Sequence, residues 1–232
     1  MRATSTLRTC LAGLLAAAAL AAPARAGDLR YFEDAALHAV QFVDANEGWA
    51  VGDEGVIWHS IDGGAHWERQ PSGVRGSLRS LHFLNPYTGW VAGREELPGG
   101  RSGGVLLYTD DGGLHWQRVL LGAVPGLNVV RFVDEKTGYA AGDGDDLFPS
   151  GVFATSDSGR TWQPVPGPRA TSWLAADFGP DGGALAGAWN RLAMLRGGNV
   201  VKVDLDSLGG RNLRAMHLAG KRGVAVGQGG LV

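Results

Sequence analysis

From residue 37 onward the chain repeats itself, and a repeat of 41 to 49 residues leaves few folds open. A recurring apolar segment ends in Phe: Leu37 to Phe42, Leu78 to Phe83 and Leu127 to Phe132. Six residues after each Phe stands a glycine followed by an aromatic, at Gly48-Trp49, Gly89-Trp90 and Gly138-Tyr139. Another glycine follows three residues past each aromatic, at Gly52, Gly93 and Gly142. Each unit then closes on one block: Ser60-x-Asp62-x-Gly64-x-x-Trp67, Thr109-x-Asp111-x-Gly113-x-x-Trp116 and Thr155-x-Asp157-x-Gly159-x-x-Trp162. A fourth unit starts at Phe178 with Gly183 and Gly187 but lacks the closing block, carrying Leu195-Arg-Gly-Gly-Asn199 instead. A fifth starts with Leu213 to Leu218, Gly223 and Gly227.

Each unit holds four short strands, placed in the first at 37–43, 48–52, 55–60 and 66–70, with a glycine turn at 61–65. One such sheet cannot bury both faces, so units stack around an axis and each covers its neighbour. The expected fold is therefore an all-β, β-propeller architecture, with blades near 37–77, 78–126, 127–171, 172–212 and an incomplete 213–232. Seven blades at this period need about 320 residues. The expectation is a C-terminally truncated propeller with about four and a half blades present, closed by missing blades or by a second chain. Composition agrees: 38 glycines without a Gly-X-Y period exclude collagen, and eight tryptophans against three methionines argue against a helical bundle. A net charge of −2 supplies no basic footprint for nucleic acid.

Residues 1–26 form an expected signal peptide, with Arg2 and Arg8 before the apolar run Leu11 to Ala22 and a cleavage pattern at Ala24-Arg25-Ala26. The run is shorter than the roughly 20 residues that span a membrane. The expected location is periplasmic or secreted. The single cysteine, Cys10, precedes that run, so the mature chain has no thiol, disulfide or Cys-ligated metal.

Within the closing block, the expected roles are structural. Asp62 accepts backbone N–H groups of its own turn, Ser60 adds a hydroxyl bond, Gly64 supplies a tight-turn backbone, and Trp67 returns onto the blade interface. Thr109, Asp111, Gly113 and Trp116, and Thr155, Asp157, Gly159 and Trp162, take the same roles. The block is the Asp-box (BNR) motif. Together with Phe-x5-Gly-Trp-Ala-x-Gly it makes residues 37–232 resemble the photosystem II stability/assembly factor family. That resemblance implies exported seven-bladed propellers, acting in plants and cyanobacteria as non-enzymatic assembly chaperones that bind a reaction-centre precursor.

Specificity is sought where the repeats disagree. Four positions before the Phe marker stand His38, Arg79, Asn128, Leu174 and Arg214; one before it stand Gln41, His82, Arg131, Asp177 and His217. Both polar series are expected to line the channel or its mouth. The insertions 94–104 and 143–151 rise from the same face and add Arg94, Arg101 and Arg169 beside Asp143, Asp145 and Asp146. His38, Arg79, Asn128, Arg131, Arg214, Arg94, Arg101 and Arg169 are thus the candidate partner-binding residues, because guanidinium forks suit carboxylates and backbone carbonyls. The expected partner is a protein client, including a membrane protein, or a glycan. The alternative is a sialidase-like glycosidase or glycan-recognition module, since sialidases share Asp boxes and a propeller. That chemistry needs an arginine triad, an acid/base Asp and a Tyr–Glu pair. No Arg-Ile-Pro signature stands early in the mature chain, and no recognisable motif places a Glu for Tyr87, Tyr108 or Tyr139. No catalytic residue, metal or cofactor is expected: Asp143-Gly-Asp145-Asp146 lacks the spacing and terminal Glu of a calcium loop.

Overall fold

The computed structural model describes residues 34–119, 124–204, 210–220 and 222–230; the expected signal peptide, with Cys10, lies outside them. The first blade is β1 (Leu37–Phe42), β2 (Gly48–Gly52), β3 (Ile57–Ser60) and β4 (Glu68–Gln70), antiparallel in sequence order. The second is β5 (Ser77–Phe83), β6 (Gly89–Leu97), β7 (Arg101–Thr109) and β8 (Gln117–Arg118). The third runs β9 (Leu127–Phe132), β10 (Gly138–Gly142), β11 (Val152–Thr155) and β12 (Gln163–Pro164). The fourth is β13 (Trp173–Gly179), β14 (Gly182–Gly187), β15 (Leu192–Arg196) and β16 (Asn199–Val203). A two-stranded sheet of β17 (Leu213–Ala219) and β18 (Arg222–Gly227) follows. The expected all-β propeller blades are present, in four four-stranded sheets and a fifth of two strands.

The core lies between blades rather than inside any one of them. One apolar cluster sits at each of the first three junctions: Trp49, Ile57, Leu81 and Phe83; then Trp90, Leu106, Val130 and Phe132; then Val129, Val152, Phe178 and Leu185. Each repeat Phe stacks on the aromatic of the preceding blade, with ring centroids 3.8 Å apart for Trp49–Phe83, 3.6 Å for Trp90–Phe132 and 4.7 Å for Tyr139–Phe178. Phe83, Phe132 and Phe178 are buried, whereas Phe42, with no blade before it among the described residues, is 40% exposed.

The repeat glycines make room for these contacts. Gly48, Gly89 and Gly138 pair across the ladder with Phe42, Phe83 and Phe132, and a Cβ there would meet the Phe ring at 2.6, 2.5 and 2.7 Å. At Gly52, Gly93 and Gly142 a Cβ would overlap the backbone oxygens of Ala36, Ser77 and Gly126. Where the closing block is absent, Gly197 and Gly198 turn the β15–β16 hairpin with φ of 55° and 73°, which glycine adopts without strain.

The Asp boxes fold as the sequence implies. Ser60, Thr109 and Thr155 each accept from the backbone of the box glycine, at 2.9, 2.9 and 3.0 Å, and each donates to the box Asp. The indoles of Trp67, Trp116 and Trp162 stand edge-on to Phe42, Phe83 and Phe132. Hydrogen bonds hold the box carboxylates down at about 2. For Asp62 and Asp111 the His66 and His115 backbone N–H contributes most; for Asp157 it is the Thr161 hydroxyl and then its N–H. Because these values lie below the ordinary 3.8, the boxes stabilise the fold above about pH 4 and lose that contribution as pH falls through about 2. The melting temperature is expected to drop across that window. In the Asp62→Asn, Asp111→Asn, Asp157→Asn triple variant the drop should be shallower; identical acid profiles would contradict this role.

The insertion at residues 94–104 continues β6 and β7 into a long hairpin, paired from Arg94↔Gly104 to Leu97↔Arg101 and turned at Gly99-Gly100. The paired glycines Gly103 and Gly104 permit close backbone approach, and a Cβ on Gly104 would meet the Pro125 oxygen at 2.7 Å.

Candidate functional site

The two ends of each blade are built differently. At one end the Asp-box turns dock on the β1–β2-type loops, through Gly63 N–H to Asn46, Gly112 N–H to Tyr87 and Ser158 N–H to Lys136 backbone oxygens. Those loops are fixed by Asx turns, in which Asp44, Asn85 and Asp134 each accept two backbone N–H groups. This end is the same in three blades, which is what a framework requires.

The opposite end, where the inner strands begin, carries the variation. Every inner strand has a bulge, and it falls on the same repeat position: His38, Arg79, Asn128, Leu174 and Arg214. A bulge inserts one unpaired residue and re-aims its side chain. Its cause is the glycine already described: the next residue's N–H reaches back across the bulge, as in Asp53 N–H to the Ala36 oxygen at 3.0 Å and Asp143 N–H to Gly126 at 2.8 Å.

The second polar series behaves otherwise. Alternation along the strand puts the residue before Phe on the sheet face opposite the Phe, and sheet faces are blade junctions. Gln41 therefore donates to the Phe83 oxygen (2.8 Å) and accepts from its N–H (2.9 Å). His82 is 9% exposed; burial and the facing Arg131 guanidinium push its imidazole down to about 4, so it stays neutral. Asp177 accepts from Leu218 N–H at 2.8 Å and lies near Arg131 and His217. These residues clasp the next blade instead of ringing a channel, and Arg131, expected among the partner contacts, belongs to this group while keeping its guanidinium half exposed.

The remaining expected contacts divide. Arg94 donates to Asn128 Oδ1 (2.8 Å) and Asp143 Oδ1 (3.1 Å), and Asn128 donates in turn to the Trp173 oxygen (2.7 Å), so both tie three blades together. Arg169 is paired with Asp146. His38 is engaged by Asp53 at 2.8 Å. Arg79 donates to Ser77 Oγ (2.9 Å), which in turn donates to Asp53 (2.5 Å). Arg101, at the hairpin tip, and Arg214, on the β17 bulge, are exposed and without an ion pair among the described residues. Between the first two blades a cleft of about 650 Å³ is lined by Asp53, Arg75, Arg79, Arg94 and Glu96 among others.

Sequence reasoning missed Trp189. It sits in the β14–β15 turn at φ 58°, a left-handed backbone uncommon for a bulky residue, with 69% of its surface exposed. Its counterpart in the first blade, Glu54, has φ 57°. The signal was available in the spacing from Gly187, equivalent to that from Gly52.

A uniform framework end opposite a variable, bulge-bearing end defines a repeat propeller whose blades differ on one face. The family described as Photosynthesis system II assembly factor YCF48 matches residues 29–182, and the chain belongs to it. No curated protein matches the chain. Among solved structures it is similar to YCF48 bound to a D1 peptide, at 19% identity and a TM-score of 0.59, over 78% of this chain and 56% of that one. It is also similar to YCF48 from Cyanidioschyzon merolae, at 18% and 0.59, over 79% and 60%. A GH74 xyloglucanase from Xanthomonas campestris matches at 17% and 0.57, over 78% of this chain and 33% of that one. These likenesses concern the fold, and the chain spans little more than half the length of its YCF48 relatives.

Proposed function

We propose that this chain is a non-enzymatic assembly scaffold that works after export and docks a protein client, a membrane-protein segment, on the face where its inner strands begin. The observation that carries this reading is the placement of His38, Arg79, Asn128, Leu174 and Arg214, the positions at which the repeats differ, on bulges at one end of every blade. A fold that only needed to stack would gain nothing from varying that position. Family membership and the D1 peptide held by a YCF48 relative support a peptide-binding role. The expected signal peptide supports export.

The glycosidase reading has less support. A general acid needs a carboxyl group raised toward neutrality. Here Asp44, Asp53, Asp62, Asp111, Asp134 and Asp157 are all held below the ordinary carboxylate range, and Glu95 is paired with Arg118. No turnover of a fluorogenic sialoside or of xyloglucan is expected. The positive test is charge reversal: Arg79→Glu with Arg214→Glu should abolish capture of the client from native membranes and leave the melting temperature unchanged. Undiminished capture would remove this face as the site.

A further inference from the structure

The junctions between blades are not equally satisfied at the variable end, and the difference picks out one of them. The residue after the repeat glycine stands at each junction: Asp53, Arg94, Asp143 and Ala188 in the first four blades. At the first junction Asp53 accepts from His38 of its own blade and from Ser77 Oγ of the next (2.5 Å), and that hydroxyl accepts in turn from Arg79 Nε on the next bulge (2.9 Å). At the second, Arg94 reaches Asn128, the next bulge residue. At the third, Asp143 takes Arg94 and Ser102 and pairs through its backbone with Ser172. At the fourth the position is Ala188, which has no polar side chain, while the next bulge carries Arg214. The carboxylate that Ser77 Oγ links to Arg79 across the first junction is thus replaced by a methyl group at the junction that leads to Arg214.

The same turn supplies an apolar neighbour. Trp189 takes the left-handed slot that Glu54 holds in the first blade. Its N–H is fixed by Asn212 Oδ1 at 3.1 Å, and Asn212 occupies the repeat position of Ser77, two residues before Arg214. The turn packs on β17, so the exposed indole and the exposed guanidinium stand on adjacent elements. In the first blade these positions hold two acids, Asp53 and Glu54; in the fourth they hold none.

Resting on the client-face reading above, we infer that Arg214 and Trp189 form a subsite for a peptide carboxylate adjoining an apolar side chain. The guanidinium offers a planar fork for the carboxylate, and the indole offers a flat apolar surface beside it. Trp and Arg are also the residues in which interface energy concentrates. Arg79, whose Nε already donates to the Ser77 hydroxyl that holds Asp53, has less to offer an anion, so the fourth junction and not the first is the anchor.

Three acetylated tripeptides serve as probes by NMR titration of the whole chain: Gly-Ala-Leu with a free carboxylate, the same peptide as an amide, and Gly-Asp-Leu amide. At least one carboxylate-bearing peptide is expected to bind tenfold or more tightly than Gly-Ala-Leu amide, and which one does so tells a chain terminus from an acidic side chain. Arg214→Gln and Trp189→Ala should each weaken that binding tenfold or more, and Arg79→Gln less than twofold. Equal binding of the plain amide, or no binding of either acid, overturns the subsite. Loss through Arg79→Gln alone also overturns it while leaving the client face standing. If none of the three substitutions changes binding, both readings fall together.

Discussion

Replacing Trp90 with alanine is expected to cost about 3–5 kcal/mol of folding stability. Trp90 is fully buried, stacks on Phe132 of the next blade at 3.6 Å, and sits in the cluster that joins the second and third blades. Truncation removes that surface from both blades and leaves a cavity that strands tied into two ladders cannot close. A loss of this size is a large part of a domain's usual margin, so a second substitution keeps the test readable. The Trp90 indole N–H has no hydrogen-bond partner among the described residues, unlike Trp49, whose N–H reaches the Gly112 oxygen at 3.2 Å. Trp90→Phe therefore breaks no hydrogen bond and should cost well under the alanine figure. Leu114→Ala, at a 71% exposed position, should stay within about 0.5 kcal/mol. Urea unfolding of the three variants checks the ranking; equal losses at Trp90 and Leu114 would mean that blades are not joined through these stacks.

The second large effect concerns the bulge. Gly142→Val is expected to cost about 3 kcal/mol, the upper end of what overpacking does. A Cβ there would overlap the Gly126 backbone oxygen, the group whose approach shapes the bulge at Asn128. Flattening the bulge would swing Asn128 away from Arg94 and from the Trp173 oxygen, loosening three blades at once. Gly179→Ala is the control: no atom lies within 4 Å of a Cβ placed there, and it should be nearly neutral. Comparable losses at the two glycines would sever the link between the repeat glycine and the bulge.

Most of the fold was legible because each repeat residue answers one packing need. Phe stacks on the preceding aromatic, Gly48 and its equivalents seat that Phe, Gly52 and its equivalents admit a carbonyl, and the Asp box closes a hairpin. The site was legible only in part. The changing position four before Phe was visible, but that it is a bulge depends on strand register, which a single sequence does not carry. Arg94 and Arg169 looked available because Asp143 and Asp146, their partners, lie 49 and 23 residues away and meet them only through stacking and loop closure. Gln41 and Asp177 were polar and yet interfacial, since a hydrogen bond to the next blade's backbone satisfies a buried polar group as well as water would, whereas His82 packs at its junction against Arg131 with its Nε2 unpartnered among the described residues. Trp189 escaped notice because its blade lacks the Asp box that marks the others.

The central claim is that the client sits on the bulge-bearing end. A photo-cross-linking residue introduced at Glu54, exposed on that end, should capture the client on irradiation with native membranes. The same residue at Leu114, exposed on the Asp-box end, should not. Capture from Leu114 and not from Glu54 would place the client on the framework end and contradict the account.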